Sequence, residues 1–236
     1  MGRISKIKRF DEMREFPHVF EPDGNHILSS DYEMKGHWNE VFFKNDKPII
    51  LELGCGRGEY TIELARRSPQ FNFIGVDIKG ARMWKGAQES LRLQLDNVAF
   101  LRCRIEFLFR MFARNEISGI WITFPDPQLR KPRKRLTSSR FINMYMDMLK
   151  PGGRIHLKTD SDVLHEYTLS LLKWNNLMPD RCTADLYGYG PVDDVLSIRT
   201  HYESGFLRIG KPITYLSFIP VHGQRFTEPR EQSEQL

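Results

Sequence analysis

Cysteine is scarce in this chain of 236 residues: Cys55, Cys103 and Cys182 stand far apart and in odd number, so no disulfide framework is built on them. That usage fits a reducing compartment and a cytoplasmic protein. No apolar run approaches the roughly 20 residues that a bilayer crossing needs. The opening stretch MGRISKIKRF is basic with no apolar segment behind it, which is not the pattern of a secretory leader. The histidines lie apart, and neither H-E-x-x-H nor C-x-x-C spacing occurs, so no metal is expected. No internal repeat or low-complexity tract is visible. One further absence is local. From Pro127 to Arg140 there is no acidic residue, while Arg130, Lys131, Arg133, Lys134, Arg135 and Arg140 are all cationic.

That run follows a single acid, Asp126, set between two prolines in FPDPQLRKPRKRL. The net charge is only +5, so its distribution matters more than its size. Arg3, Lys6, Lys8 and Arg9 form a second basic patch. Local cationic patches on a near-balanced body suit a polyanionic partner. For the N-terminal patch alone, a solvated segment is the simpler reading. The run at 130–140 is different because of where it falls, directly after Asp126, and is read as a contact for a polyanion.

Short β-branched or aromatic runs predict strands at 49–53, 71–77, 98–103, 120–124 and 154–159. Helical periodicity lies between them, at 58–67, 81–95, 105–112, 138–149 and 160–174. In the fourth of these helices Phe141, Ile142, Tyr145, Met148 and Leu149 make one apolar stripe, Thr137 or Ser138 can cap it, and KPGG ends it. Such alternation predicts an α/β fold: a mostly parallel sheet with helices on both faces. PITYLSFIP, at 212–220, reads as a last antiparallel strand near an edge. Residues 1–47 read as an irregular basic extension, 48–222 as the catalytic domain, and 223–236 as a loose polar tail. Trp38, Phe42 and His37 are read as packing residues.

LELGCGRGEY places Glu52, Gly54, Gly56 and Gly58 at the exit of the first strand. Glycines there allow a tight turn and close approach of a ligand. Counting from Gly54, Glu59 stands where the dinucleotide fingerprint needs its last glycine, and no G-K-[ST] follows. Glu52, two residues ahead of the first glycine, suits a cationic ligand better than a pyrophosphate. Asp77 ends the second strand, where a carboxylate can accept both ribose hydroxyls. Together these features fit a nucleoside without phosphate that carries positive charge: S-adenosylmethionine.

LELGCGRG, FIGVDI, FPDP with its basic run, HLKTD and IRTHYE occur in the order found in bacterial tRNA (guanine-N7-)-methyltransferases, and DYEMKGHWNEVF resembles that family's preceding segment. The resemblance covers residues 31–220. It implies a Rossmann-like methyltransferase fold with a seven-stranded sheet. It also implies methylation of N7 of the variable-loop guanosine of tRNA, position 46, with S-adenosylmethionine as donor. By position, Glu52, Asp77 and Asp126 match cofactor-binding acids, Gly54 and Gly56 belong to the same loop, and Asp126 matches the proposed catalytic aspartate. Arg130 stands where the family has a substrate-contacting lysine. Asp160 matches the acid of the T-D motif, and Thr200 and Glu203 bound the T-x-x-E substrate motif. The chain departs from the family at Gln128, where tryptophan is usual, in a basic loop about two residues shorter, and at Arg104, where an acid near the adenine is usual. Glu106 or a backbone amide can serve there instead. The implied partner is tRNA, the implied state a monomer or homodimer, with no membrane association.

Guanine N7 carries an in-plane lone pair and no proton, so its methylation needs alignment and electrostatics rather than a general base. A fixed carboxylate such as Asp126 stabilises positive charge as it moves from sulfur to purine. The basic loop supplies phosphate contacts, which position RNA without reading sequence. Asp160 and Glu203 are candidate acceptors for guanine N1–H and N2–H2, and Asp160 is equally placed to cap a helix. Two other classes remain open: a methyltransferase acting on another nucleic-acid or protein amino group, and a non-catalytic RNA-binding module.

Overall fold

The apolar runs become the middle of a sheet covered on both faces, as near-continuous hydrophobic strands require. The computed structural model describes residues 5–229. In chain order its elements are α1 (Lys6–Glu15), β1 (Val19–Phe20), α2 (His26–Ser29), β2 (Ile49–Leu53), α3 (Glu59–Arg67), β3 (Asn72–Asp77), α4 (Gly80–Arg92), β4 (Val98–Arg102), α5 (Leu108–Met111), β5 (Ile117–Thr123), α6 (Ser139–Met148), β6 (Leu149–Thr159), α7 (Asp162–Trp174), β7 (Arg181–Thr183), α8 (His201–Arg208) and β8 (Thr214–Phe218). The strands lie in the order β1-β4-β3-β2-β5-β6-β8-β7. Pairing is parallel from β1 to β6 and antiparallel at β6–β8 and β8–β7. This is the expected Rossmann-like α/β architecture, with eight strands rather than seven. The final strand β8 lies one place in from the edge.

Strand periodicity decides which side chain meets which layer. Ile49, Leu51 and Leu53 of β2 join the core under α5, α6 and α7. Glu52 faces the opposite layer, where Tyr60, Ile62, Leu64 and Ala65 of α3 pack with Met83, Trp84 and Ala87 of α4. Close packing of α3 on α4 depends on glycine. Gly58 has φ +71°, and a Cβ on it would meet Gly86 Cα of α4 at 3.1 Å and the Phe100 ring of β4 at 2.7 Å. The order β3-β2-β5 makes the carboxyl ends of β2 and β5 the point where the chain's winding reverses, the usual ligand crevice of such sheets.

Two segments differ from the sequence reading. The described residues before 48 are not all irregular: α1 packs on α4, with Met13 buried and Trp84 Nε1 donating to Glu12 Oε2 at 2.6 Å. Lys6, Lys8 and Arg9 of the N-terminal patch are on this helix, and Arg3 lies outside the described residues. Trp38 is fully buried and donates to Met111 O, and Phe42 packs against the same core. The tail is anchored, not loose, as far as it is described. Phe226 is 2% exposed. Asn143 Nδ2 donates to Phe226 O and Asn143 Oδ1 accepts from Phe226 N, both at 2.9 Å. Asn175 forms the same reciprocal pair with Thr227. These bonds satisfy backbone groups that would otherwise sit unpaired against the core. Residues 230–236 of the tail lie outside the described residues.

Candidate active site

At the carboxyl ends of β2, β3 and β5 the surface opens into a trough of two lobes. The first, about 440 Å³, is lined by Glu52, Gly54, Gly56, Asp77, Asp126, Asp160 and Thr200 among others. The second, about 350 Å³, shares Gly54 and Asp77 and continues past Cys103, Arg104, Ile105, Glu106, Leu136 and Phe141. The first lobe is acid-rich; the second is a largely apolar slot with Arg104 and Lys134 at its margin.

Glu52 forms the floor and is 2% exposed. Thr123 Oγ1 donates to its Oε1 at 2.6 Å, and Thr61 Oγ1 donates to its Oε2. Among the described residues no cation pairs with it. Burial, reinforced by repulsion from Asp77 and opposed by the two hydroxyls, pushes its carboxyl up to about 7. A buried carboxylate held by neutral donors and facing a cavity is a receptor for a cation, because the cation restores the charge compensation that burial removed.

The glycine loop closes one wall. Gly54 and Gly56 have φ of +77° and +56°, a region that L side chains rarely occupy, and a Cβ on Gly54 would point into open space. Asp77 fastens the loop: its Oδ2 accepts from Gly56 N at 2.9 Å, and its Oδ1 from Lys79 N at 2.8 Å. Each oxygen retains a lone pair for a hydroxyl.

Asp126 stands exposed on the opposite wall. Phe124 and Gln128 on either side have φ of +48°, a conformation costing about 1–2 kcal/mol at each for non-glycine residues. Gln128 N donates to Asp126 Oδ1 at 2.9 Å, forming an Asx turn. The strain is held by Arg135. That arginine does not face solvent with the rest of the basic run: it is 6% exposed, its guanidinium lies 4.3 Å over the Tyr167 ring, and its Nε donates to Pro127 O at 3.0 Å. Tyr167 OH donates to Glu228 Oε2 at 2.8 Å, and Glu228 Oε1 accepts from Ser139 N at 2.9 Å. Glu228 thus caps α6, in place of Thr137 or Ser138, and ties the tail to the Asp126 loop. Arg130, Lys131, Arg133 and Lys134 remain exposed, and Arg130 does not line the trough.

Asp160 reaches the first lobe and pairs with Lys211 at 2.9 Å. It does not cap α7; Ser161 does, accepting from Leu164 N. Thr200 lines the lobe at the start of α8, and His201 N donates to Glu59 Oε2 at 2.7 Å. Glu203 is not brought to the trough, a correction to its reading as a guanine acceptor. It is 0% exposed, its Oε1 lies 2.8 Å from Lys158 Nζ and accepts from Tyr187 OH at 2.5 Å, and its Oε2 accepts from Thr200 N. Thr200 and Glu203 form a capping box. Burial pulls the Lys158 ammonium below its ordinary value, and the neighbouring Glu203 opposes that.

Several trough residues were not read from sequence. Thr123 lines the first lobe and Thr61 lies buried beneath it, both holding Glu52, yet an isolated threonine on a helix or strand carries no signal. Arg57, Lys79 and Arg82 stand at the rim with Tyr202, which is 43% exposed, and Phe206. Tyr202 lies inside IRTHYE and was legible only as part of that motif. Among the described residues no group of three or more His, Cys, Asp or Glu side chains could hold a metal ion. No helix among them is long and apolar enough to cross a membrane.

Comparison with known proteins places these features in context. A family model described as "Putative methyltransferase" matches residues 46–216. A tRNA (guanine-N(7)-)-methyltransferase of Bacteroides thetaiotaomicron is 50% identical over 224 residues, covering 94% of this chain and 88% of its own. The enzyme of that name from Porphyromonas gingivalis is 54% identical over 209 residues, covering 87% and 86%. That from Oceanobacillus iheyensis is 34% identical over 194 residues, covering 81% and 89%. Among solved structures, an antibiotic-related methyltransferase superposes with a TM-score of 0.53 at 16% identity, covering 93% of this chain and 96% of its own, a likeness of fold alone.

Proposed function

The chain belongs to the tRNA (guanine-N(7)-)-methyltransferase family, and on that footing we propose that it methylates N7 of the variable-loop guanosine, position 46, of tRNA. S-adenosylmethionine supplies an activated methyl group. The observation that carries this reading is the buried Glu52 carboxylate, unpaired with any described cation, at the floor of a trough whose rim holds Asp126.

The two lobes divide the donor by chemistry. The apolar slot of Cys103, Ile105, Leu136 and Phe141 suits a purine ring, with Arg104 and Glu106 at its edge. Asp77, where the lobes meet, accepts ribose hydroxyls. Glu52 compensates the donor's positive charge in the first lobe, and Arg57, Lys79 and Arg82 at the rim suit its carboxylate. Asp126, fixed by its Asx turn and by Arg135, would face the donor's methyl group across the first lobe. It stabilises positive charge as it passes to the purine and takes no proton, since N7 has none to give. Tyr202 offers an exposed ring on which the target base can stack, and Asp160 is the remaining acid placed to accept from guanine N1–H or N2–H2.

Arg130, Lys131, Arg133 and Lys134 meet phosphates. The catalytic unit spans 48–222, with 1–47 and 223–236 as flanking segments whose described parts brace it. The protein acts in the cytoplasm, as monomer or homodimer. The test is methyl transfer from tritiated S-adenosylmethionine to unmodified tRNA, followed by mapping of the labelled atom. Label at N7 of the variable-loop guanosine is expected. Label on an exocyclic amine or a ribose, or no incorporation, overturns the reading.

A further inference from the structure

A wide groove lies outside the trough, along α6. It encloses about 1230 Å³, above the range of roughly 300–1,000 Å³ that small-molecule pockets occupy. Arg114, Arg133, Arg140 and Arg225 line it, from three separate stretches of chain. All four are exposed, and none is in an ion pair among the described residues. The acids there do not balance them. Glu228, held by the neutral donors Ser139 N and Tyr167 OH, and Asp147 are the two carboxylates among the described lining residues, so the arginines outnumber the acids two to one.

The groove is built rather than accidental. The C-terminal segment forms one wall, held by the reciprocal Asn143–Phe226 and Asn175–Thr227 bonds and by burial of the Phe226 ring. Arg225 is thereby fixed opposite α6. The groove is also continuous with the basic loop, since Arg133 belongs to both.

We propose that this groove is a second RNA-backbone track, which receives a stretch of tRNA beyond the nucleotides at the trough. The inference rests on the proposed function and adds to it a surface that the basic loop does not supply. Four arginines against two carboxylates, in an open channel, match a run of phosphates. Contacts of this kind supply affinity, register and salt dependence, with little sequence information. The channel starts at the loop beside Asp126, so RNA held in it is directed to the site.

The experiment measures fluorescence anisotropy of labelled tRNA against salt, with steady-state methylation in parallel. It uses the full chain and the triple variant Arg114→Ala, Arg140→Ala, Arg225→Ala. Each phosphate contact contributes about 0.7–0.9 to the slope of log affinity against log salt. The slope should therefore fall by about 2–3, with tRNA binding weakened on the order of tenfold or more near 150 mM salt. The loss should fall on the KM for tRNA rather than on kcat, and S-adenosylmethionine affinity should confirm a folded site. The triple lysine variant, which keeps the charge, should restore most of the slope. An unchanged slope and affinity in a folded alanine variant, while Lys131→Ala with Lys134→Ala still weakens binding, overturns the groove alone and would leave it facing another partner, such as an acidic protein. Failure of the unaltered protein to bind or methylate tRNA overturns the proposed function and this inference with it.

Discussion

Glu52→Gln isolates the role of the buried acid. The carboxyl rises from an ordinary 4.5 to about 7, a difference worth about 3 kcal/mol. The sign follows from proton counts. Between 4.5 and 7 the folded protein holds a proton on Glu52 that the unfolded chain has lost, so this group's contribution lowers stability as pH rises through that window. A cation in the first lobe reverses the preference, because it stabilises the carboxylate. Donor binding near pH 6 must then expel the proton, about 0.9 per site for a free-state value near 7. Affinity for S-adenosylmethionine should climb up to tenfold per pH unit below 7 and flatten above it. Calorimetry at pH 6 in two buffers of different ionisation enthalpy counts the protons directly. Glu52→Gln should release none, show no such pH dependence, and bind more weakly at pH 8. Binding without proton release at pH 6, with a pH profile matching the glutamine variant, would refute the assignment of Glu52 to a cation.

Asp126→Ala should lower kcat by about 10²–10³-fold, the scale for removing one preorganised electrostatic group, with tRNA affinity nearly unchanged by anisotropy; retained turnover would remove Asp126 from the mechanism. Arg135→Ala should behave unlike its neighbours in the basic run: it is expected to destabilise by about 1–3 kcal/mol through lost packing on Tyr167 and a lost bond to Pro127, with kcat falling and the tRNA salt slope unmoved. Glu203→Ala leaves the Lys158 ammonium buried without its partner, a loss of about 3–5 kcal/mol, visible as a drop in melting temperature without tRNA. Equal melting temperatures would return Glu203 to a substrate role. Alanine at Arg130, Lys131, Arg133 and Lys134 together should raise the KM for tRNA and reduce the salt slope by about 3–4; an unchanged slope removes the loop from the RNA path.

The central strands were legible because burial on both faces leaves little but apolar residues between turn signals. Ile49–Leu53 is found at its predicted bounds; β3, β4 and β6 differ at one end, by up to five residues at the start of β6, and β5 and β8 differ at both ends. Missing from the sequence reading were β1 and β7, two and three residues long, too short for a period of two to register. The acids Glu52, Asp77 and Asp126 were placed by their position at strand ends, where topology itself brings them together. Partners distant in the chain left no such mark. Arg135 looked like one more cation of the run, and only the fold sets Tyr167 beneath it. Glu228 looked like part of a polar tail, yet Phe226 beside it carries the burial that docks the segment. Thr200–Glu203 shows how one pattern supports two readings: the family motif drew attention to RNA, while the same spacing is a capping box. The buried Lys158 beneath it decided between them.

A crystal structure with S-adenosylmethionine bound tests the core of the account most directly. The account predicts the purine in the slot by Phe141, ribose hydroxyls on Asp77, the donor's charge above Glu52, and the methyl group open toward Asp126 and Tyr202. A donor seated away from Glu52 and Asp77, or with its methyl turned from Asp126, would contradict it.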